Sequence, residues 1–272
     1  MQSRPTKWVT AAVEAHFGWP TARLEITYRG YRYLIRPETD ELAPSVSVYS
    51  EQGLTIDEGG NLINRFLSAL AWSQSAGVQY LFAVGSSTDE PIRVGKSDRF
   101  KFIAEPWQQL YLPQPSDERA LRALAVFREA LSVNSVPYKF LGLFKILNIR
   151  YSSGDDQKRW INDNRDRITE LRAKERLDAL SSVTDLGAYL YRQGRCAVAH
   201  AFAEDVIDPD ASTELRRLED DVPLIKAFAE IMITSEFGIP TDSEFWVSIR
   251  NAKILPTEYV QPKHLESGCA KV

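Results

Sequence analysis

The chain contains few of the residues that build disulfide frameworks and metal sites. Only two of its 272 residues are cysteines and three are histidines. The two cysteines, Cys196 and Cys269, lie far apart in the sequence. Such a separation is typical neither of a disulfide framework nor of a metal-ligand cluster. We therefore expect a protein without a structural metal and without a bound cofactor.

Long apolar runs and an excess of basic charge are missing as well. The longest apolar patch, VPYKFLGLFKIL over residues 136–147, contains two lysines and is too short to span a bilayer. The N-terminus lacks an apolar run long enough for a signal peptide, so we expect a cytoplasmic protein with no membrane partner. The formal net charge of −4 argues against a general nucleic-acid coat protein, although it leaves room for a small basic site.

The signature motifs of several enzyme classes are also absent. The sequence has no GxxxxGK phosphate loop, no GxGxxG, no HExxH and no GxSxG nucleophile elbow. Nucleotide hydrolysis, zinc proteolysis and serine hydrolysis therefore have no support in these residues.

What the sequence does contain is two regions of different secondary structure. Alternating apolar residues predict a hairpin over residues 22–38 and a third strand over 45–50. A helical pattern over residues 61–74 precedes a short apolar run at 78–87, which predicts a buried strand. Two prolines and a Ser-Asp helix start in YLPQPSDE, residues 111–118, then predict a linker.

The predicted fold class is α+β, with a mixed α/β N-terminal domain followed by an all-α helical bundle. The predicted segments are residues 1–112 for the mixed domain, 113–260 for the helical domain and 261–272 for a polar tail. Helices are predicted over residues 117–132, 137–148, 155–172, 182–202 and 214–237, with a short closing helix over 241–252.

The stretch YRQGRCAVAHA, residues 191–201, places Arg195 and His200 in a helix made mostly of small and apolar residues. On an ideal helix the two side chains would point about 140° apart, with a rise of about 7.5 Å between them. One such helix alone would not aim both groups at a single atom. We therefore expect a homodimer in which two copies of the 182–202 helix bring two arginines and two histidines around one cleft.

The two residue types suit RNA cleavage without a metal. Histidine titrates near neutral pH and can act as base or acid, whereas arginine offers a permanently charged fork for phosphate oxygens. Arg192 either assists with phosphate on the same flank or is a solvated, ion-paired residue. His200 could instead be a core histidine bonded to a carbonyl, and Cys196 is best interpreted as a small buried hydrophobe.

These residues resemble a known superfamily. RCAVAH, residues 195–200, is similar to the arginine, four-to-six residues, histidine signature of HEPN domains, and the likeness in element order covers roughly residues 117–240. The resemblance implies a dimeric helical domain with a metal-independent endoribonuclease site at the dimer interface, formed by Arg195 and His200. It implies RNA as substrate, a role in defence or a toxin–antitoxin pair, and a regulatory or antitoxin partner.

A second resemblance and a second function complete the sequence predictions. The whole chain, with its mixed N-terminal part, looks like the MauJ-like proteins of methylamine utilisation clusters. Many catalytic HEPN members carry a polar residue, often asparagine, directly after the arginine, where this chain has Cys196. That residue and the acidic net charge favour the alternative of a non-catalytic HEPN-scaffold protein for interaction or regulation. An accessory role in amine metabolism is one form of it.

Overall fold

The computed structural model describes residues 5–93, 111–200, 207, 212–252 and 263–264. The chain divides into two compact units, Met1–Gln114 together with Asp242–Val272, and Pro115–Thr241. An antiparallel sheet lies in the first part and helices follow it, which confirms the predicted α+β class. Cys269, the predicted helix end at residue 202 and the polar tail, except 263–264, lie outside the described residues.

The first unit is built on a six-stranded sheet in which every pairing is antiparallel, in the order β5-β1-β4-β3-β2-β6. Its strands are β1 (Thr6–Ala15), β2 (Leu24–Tyr28), β3 (Tyr31–Arg36), β4 (Ser45–Leu54), β5 (Val78–Ser86) and the two-residue β6 (Lys263–His264). The predicted hairpin is β2–β3, and Arg29 and Gly30 both have positive φ at its turn. Such a two-residue turn matches the twist of the strands that it joins.

Helix α1 (Ile56–Gln74) contributes to the core of this unit. A capping box between Thr55 and Glu58 starts the helix, since each side chain accepts a hydrogen bond from the other residue's backbone N–H. Phe66 of α1 stacks on Tyr33 at 4.8 Å between ring centroids and meets Tyr28 edge-on at 5.7 Å. The hairpin tyrosines at 28 and 33 are therefore core residues.

Two strands differ from the sequence predictions. Strand β1 was not predicted, because it pairs with β4 and β5 on its two sides and its residues from Trp8 to Val13 are buried on both faces. A strand of this kind lacks the alternation of polar and apolar residues that marks a half-buried one. The prediction that β5 is buried is wrong: Leu81, Phe82 and Val84 are 40–49% exposed. The apolar run marks a strand but does not determine its burial, and among the described strands β5 pairs only with β1.

The second unit is helical. It consists of α2 (Glu118–Ser132), α3 (Val136–Arg150), α4 (Gly154–Asp163), a 3₁₀ turn (Arg165–Arg167), α5 (Leu171–Ala179), α6 (Leu186–Tyr189), a π-helix (Leu190–Cys196), α7 (Ala197–Ala199) and α8 (Ser212–Phe237). Helix α3 packs against α2 and α8. Its Phe140 and Phe144 have no solvent exposure.

The single helix predicted over residues 155–172 is broken in the structure. Helix α4 ends at Asp163, and the side chain of the next residue, Asn164, donates to the carbonyl of Trp160 at 2.8 Å and competes with the helical hydrogen bonds. Helix α5 starts anew after Glu170, whose carboxylate accepts from the N–H of Ala173 at 2.7 Å. The end of α4 and the start of α5 are hard to predict within this run of alternating charges, because helix-capping residues resemble ordinary surface residues in sequence.

Helix α9 (Asp242–Ala252) is grouped with the first unit, whereas the predicted domain boundary at residue 260 would place it with the helical bundle. Phe245 of α9 stacks on the buried Tyr111 at 3.9 Å between ring centroids, which ties the helix to the segment that follows the sheet. In the part of the chain that the structure describes, no helix is both long enough and apolar enough to cross a membrane.

Candidate functional site

The predicted 182–202 helix is a composite of α6, the π-helix and α7, and it begins later than predicted, at Leu186. Asp185 caps it by accepting from the N–H of Ala188 at 2.8 Å. Asn162 of α4 bridges this start, because its amide donates to Asp185 at 2.9 Å and its oxygen accepts from the N–H of Gly187 at 2.9 Å. The hydrogen bond from Asn162 is the main reason why the pKa of Asp185 is lowered.

The middle of this helix is wider than an α-helix. The N–H of Ala197 donates to the carbonyls of Arg192 and Gly194 and skips that of Gln193, its α-helical partner. In a π-helix each residue turns through less than the ~100° of an α-helix. The seven π-helical residues, Leu190–Cys196, include Arg195. Segments of this type are rare and often lie at functional sites.

The small residues of the helix pack against the same chain. A Cβ atom added to Gly194 would lie 2.3 Å from Cζ of Phe140 in α3, and one added to Gly187 would lie 2.1 Å from the backbone oxygen of Lys158 in α4. Small residues allow another helix to approach closely, and the homodimer expected from the sequence would place a second copy of this helix nearby. At these two positions the helices that approach closely are α3 and α4.

Gly194→Ala is therefore expected to destabilise the protein, although alanine favours a helix by about 1 kcal/mol relative to glycine. Phe140 is fully buried and has no room to retreat, so we expect a net loss of about 1–3 kcal/mol in the free energy of unfolding. Urea unfolding measures it. Gln193→Ala, at the exposed neighbouring position, is the control and should change stability by less than about 0.5 kcal/mol. Equal stability of wild type and Gly194→Ala would contradict the tight packing.

Arg195 and His200 meet within one chain. Nη1 of Arg195 lies 3.2 Å from Nε2 of His200. The sequence predicts that one ideal helix would not aim both groups at a single atom, and this segment departs from an ideal helix in two ways. The π-helix changes the direction in which Arg195 points, and the helix ends at Ala199, so that His200 has an extended backbone with φ −124 and ψ 120. Both side chains belong to partly buried residues.

The contact defines the protonation pattern of the imidazole. A guanidinium carries only donors, so Nε2 of His200 must accept the hydrogen bond from Arg195. The proton of the neutral ring then resides on Nδ1. In this arrangement the nitrogen next to the guanidinium is the one that carries the lone pair.

Tyr191 is a second neighbour of the Arg195 guanidinium. The guanidinium carbon of Arg195 lies 5.5 Å from the Tyr191 ring centroid, and Nζ of Lys158 lies 5.6 Å from the same centroid. The ring is itself fixed, since it meets Phe144 edge-on at 6.0 Å and its hydroxyl occupies the space that a side chain at Gly154 would need. Tyr191 is not among the site residues predicted from the sequence. Its position four residues before Arg195 is the signal that could have found it.

The other two predicted residues have different surroundings. Cys196 is partly buried, and its Sγ lies 3.8 Å from Nη1 of Arg195, so it borders the site. Arg192 is exposed. Its charge adds a small contribution to the lowering of the pKa of Asp185, after those of Asn162, Ala188 and Lys158. Electrostatically, Arg192 thus acts at the start of the helix, whereas the Arg195–His200 contact lies near its end.

Behind the π-helix lies a buried polar network around Asp221 of α8. Asp221 is 1% exposed, and its carboxylate accepts from Nε of Arg176 at 2.8 Å, from the hydroxyl of Tyr189 at 2.9 Å and from Nη1 of Arg217 at 3.3 Å. Burial raises the pKa of Asp221, while the hydrogen bonds and charges of these partners oppose the rise. Nη2 of Arg217 also donates to the carbonyl of Gln193 at 2.8 Å, inside the π-helix.

The segment that carries both features is similar to a known family. The model of the methylamine utilization protein MauJ family matches residues 123–234. The match covers less than half of the chain and includes Arg195, His200, Arg217 and Asp221. No curated protein and no solved structure matches the chain. The predicted likeness to MauJ is confirmed for this MauJ-like segment, and membership of the HEPN superfamily stays a prediction.

Metal ligands are not concentrated at this site. Among the residues that the structure describes, no three or more His, Cys, Asp and Glu side chains are grouped so that they could hold a metal ion.

Proposed function

We propose that the protein is a HEPN-type, metal-independent endoribonuclease whose reacting groups are Arg195 and His200. The observation that supports this function is the 3.2 Å contact between Nη1 of Arg195 and Nε2 of His200. It combines a basic imidazole nitrogen with a permanent positive charge in a partly exposed position. A base and a cation are two of the elements that cleavage of an RNA phosphodiester requires.

In the proposed reaction the fork of Arg195 moves from His200 to the oxygens of the scissile phosphate. This transfer frees the lone pair of Nε2, which removes the proton from the 2′-hydroxyl of the ribose. The 2′-oxygen then bonds to phosphorus as the bond from phosphorus to the 5′-oxygen breaks. The products are a 2′,3′-cyclic phosphate and a 5′-hydroxyl, and Arg195 offsets the negative charge that develops on the phosphate oxygens.

The departing 5′-oxygen needs a proton, which a second histidine can supply. We propose that it is His200 of a second copy of the chain, protonated where the first is neutral, in a homodimer that shares one RNA cleft. Gly187 already packs against α4, and Gly194 against α3. The surface left for the second copy therefore includes the exposed residues of the described helix, Arg192, Gln193 and Ala199. A monomer in solution that cleaves RNA at the full rate would remove the shared cleft from the proposal.

Digestion of RNA in EDTA tests the chemistry directly. A labelled RNA oligonucleotide should be cleaved with EDTA present and should yield 2′,3′-cyclic phosphate ends. The same sequence made with 2′-deoxyribose at every position should stay intact, because the attacking hydroxyl is missing. Loss of cleavage in EDTA, or cleavage of the deoxy strand, would overturn the proposed mechanism.

A second candidate function is a non-catalytic protein for interaction or regulation. The favouring observation is that the guanidinium of Arg195 already has His200 and Tyr191 as neighbours within its own chain, a contact set that also serves the fold. The match to the MauJ model favours an accessory role in methylamine utilization as the specific form. Co-expression with a methylamine-oxidising enzyme should then increase methylamine oxidation, and Arg195→Ala should leave that increase unchanged.

A further inference from the structure

Helix α8 contacts the candidate site through a hydrogen bond to the main-chain carbonyl of Gln193. In a continuous α-helix this carbonyl would accept from the N–H of Ala197. Here that N–H donates to the carbonyls of Arg192 and Gly194 instead. Nη2 of Arg217 donates to the carbonyl of Gln193 at 2.8 Å, so this carbonyl has a side-chain donor in place of the α-helical one.

Arg217 is itself held in place by the network behind it. Its Nη1 donates at 3.3 Å to Oδ2 of the buried Asp221, an oxygen that also accepts from the hydroxyl of Tyr189, while Arg176 donates to Oδ1. The two nitrogens of one guanidinium thus join the core of α8 to the main chain of the π-helix. A planar fork can bridge two acceptors in this way, whereas a lysine ammonium is a single point charge.

The consequence for the site follows from helix geometry. If the Gln193 carbonyl loses its donor from Arg217, the α-helical bond to Ala197 becomes the favourable alternative. Formation of that bond tightens the turn that carries Arg195, two residues beyond Gln193. The guanidinium would then rotate away from His200, which stands on extended backbone after the end of the helix.

We propose that Arg217 is a positioning residue for the Arg195–His200 pair and acts through the main-chain carbonyl of Gln193. The inference concerns the site of the proposed ribonuclease and rests on that function only for its effect on activity. Its direct effect is on the hydrogen bond between Arg195 and His200, which can be observed without any substrate.

The test is the tautomer of His200, read from ¹⁵N NMR of histidine-labelled protein. The chain has three histidines, so His200→Asn identifies the signals of position 200. In the wild type Nδ1 should carry the proton. In Arg217→Ala the ring should shift toward a mixture of both tautomers, and if RNA is cleaved, kcat should fall about ten- to hundred-fold with KM nearly unchanged.

Matched variants separate positioning from general stability. Arg216→Ala removes an exposed arginine next to Arg217 and should leave the tautomer unchanged. Tyr189→Phe removes the hydroxyl that donates to Asp221 and accepts from Nη2 of Arg176, and it leaves both acceptors of Arg217, Asp221 and the carbonyl of Gln193, in place. The melting temperature should therefore fall while the tautomer stays as in the wild type. Should Arg217→Ala not fold, Arg217→Lys retains a charge beside Asp221 without the second nitrogen, and it should show the same tautomer shift.

The outcomes distinguish this inference from the proposed function. An unchanged tautomer in Arg217→Ala or Arg217→Lys overturns the positioning role, even if Arg195 and His200 prove necessary for cleavage. An equal shift in Tyr189→Phe also overturns it, since general loosening of the network would then explain the effect. A shift confined to the Arg217 variants in a protein that cleaves no RNA supports the positioning role and removes the ribonuclease.

Discussion

His200→Ala is expected to lower kcat/KM for RNA cleavage by about 10²–10⁴-fold, the range that one acid or base contributes to catalysis. In a shared cleft the substitution removes both the base and the acid, which places the expected loss at the upper end of this range. The folded protein should tolerate the change, because His200 is only partly buried and lies beyond the end of the helix. Initial rates on a labelled RNA oligonucleotide, together with thermal unfolding, measure both effects.

Two comparisons make this result specific. His16→Ala changes a histidine of the first unit and should cleave at the wild-type rate. Arg195→Ala should lose a similar factor, and the double variant should lose little more than either single one, because residues that act as a unit are not additive. Cleavage by His200→Ala at the wild-type rate would show that a contaminating nuclease or another site is responsible.

The local rules of sequence patterning account for most elements of the fold. The hairpin, α1 and the long helices α2, α3 and α8 all show clear periods of two or 3.6 residues, and their predicted bounds agree with the observed ones within a few residues at most ends. The misses have physical causes. Strand β1 is buried on both faces and lacks alternation, and the break after α4 depends on the side-chain hydrogen bond of Asn164.

The site was predictable in its residue types and not in its geometry. Arg195 and His200 stand out in the sequence because they lie among small and apolar residues. Their direct contact depends on a π-helix. The contacts that accompany this π-helix come from residues distant in the sequence. Phe140 lies against Gly194, and Arg217 reaches Gln193 from a helix that starts many residues later. An ideal-helix calculation leaves out both interactions and therefore places the two side chains apart.

The burial of Asp221 could not be predicted from the sequence either. It belongs to the run RRLEDD, which in sequence resembles a solvated, charged helix face. Two neighbouring acids, Glu219 and Asp220, are indeed exposed, whereas Asp221 is 1% exposed and meets two arginines and a tyrosine. The apolar residues after it are the available hint, since Asp221 lies one helical turn before Leu224 and Ile225, which are fully buried.

Asp221→Ala is expected to cost about 3–5 kcal/mol in the free energy of unfolding, the cost of removing one partner from a buried ionic network. The substitution leaves the guanidinium of Arg176, whose side chain is 18% exposed, and the hydroxyl of Tyr189 without their shared acceptor. The Nε–H of Arg176 and the O–H of Tyr189 that now bond to Asp221 would have to find water or remain unsatisfied, although Nη2 of Arg176 still lies 3.2 Å from the Tyr189 oxygen. Asp221→Asn keeps an acceptor oxygen but loses the charge, so its stability should lie between those of the wild type and Asp221→Ala.

Asp220→Ala provides the matched control, because it removes a carboxylate of the same helix at the adjacent, exposed position. Its free energy of unfolding should stay within about 0.5 kcal/mol of the wild type. Since the chain has two compact units, hydrogen exchange of the α8 amides should accompany urea unfolding of the full chain, so that the change is assigned to the helical unit. If both alanine variants were equally stable, the Asp221 network would not stabilise the fold. The positioning of Gln193 would then require an anchor for Arg217 other than this carboxylate.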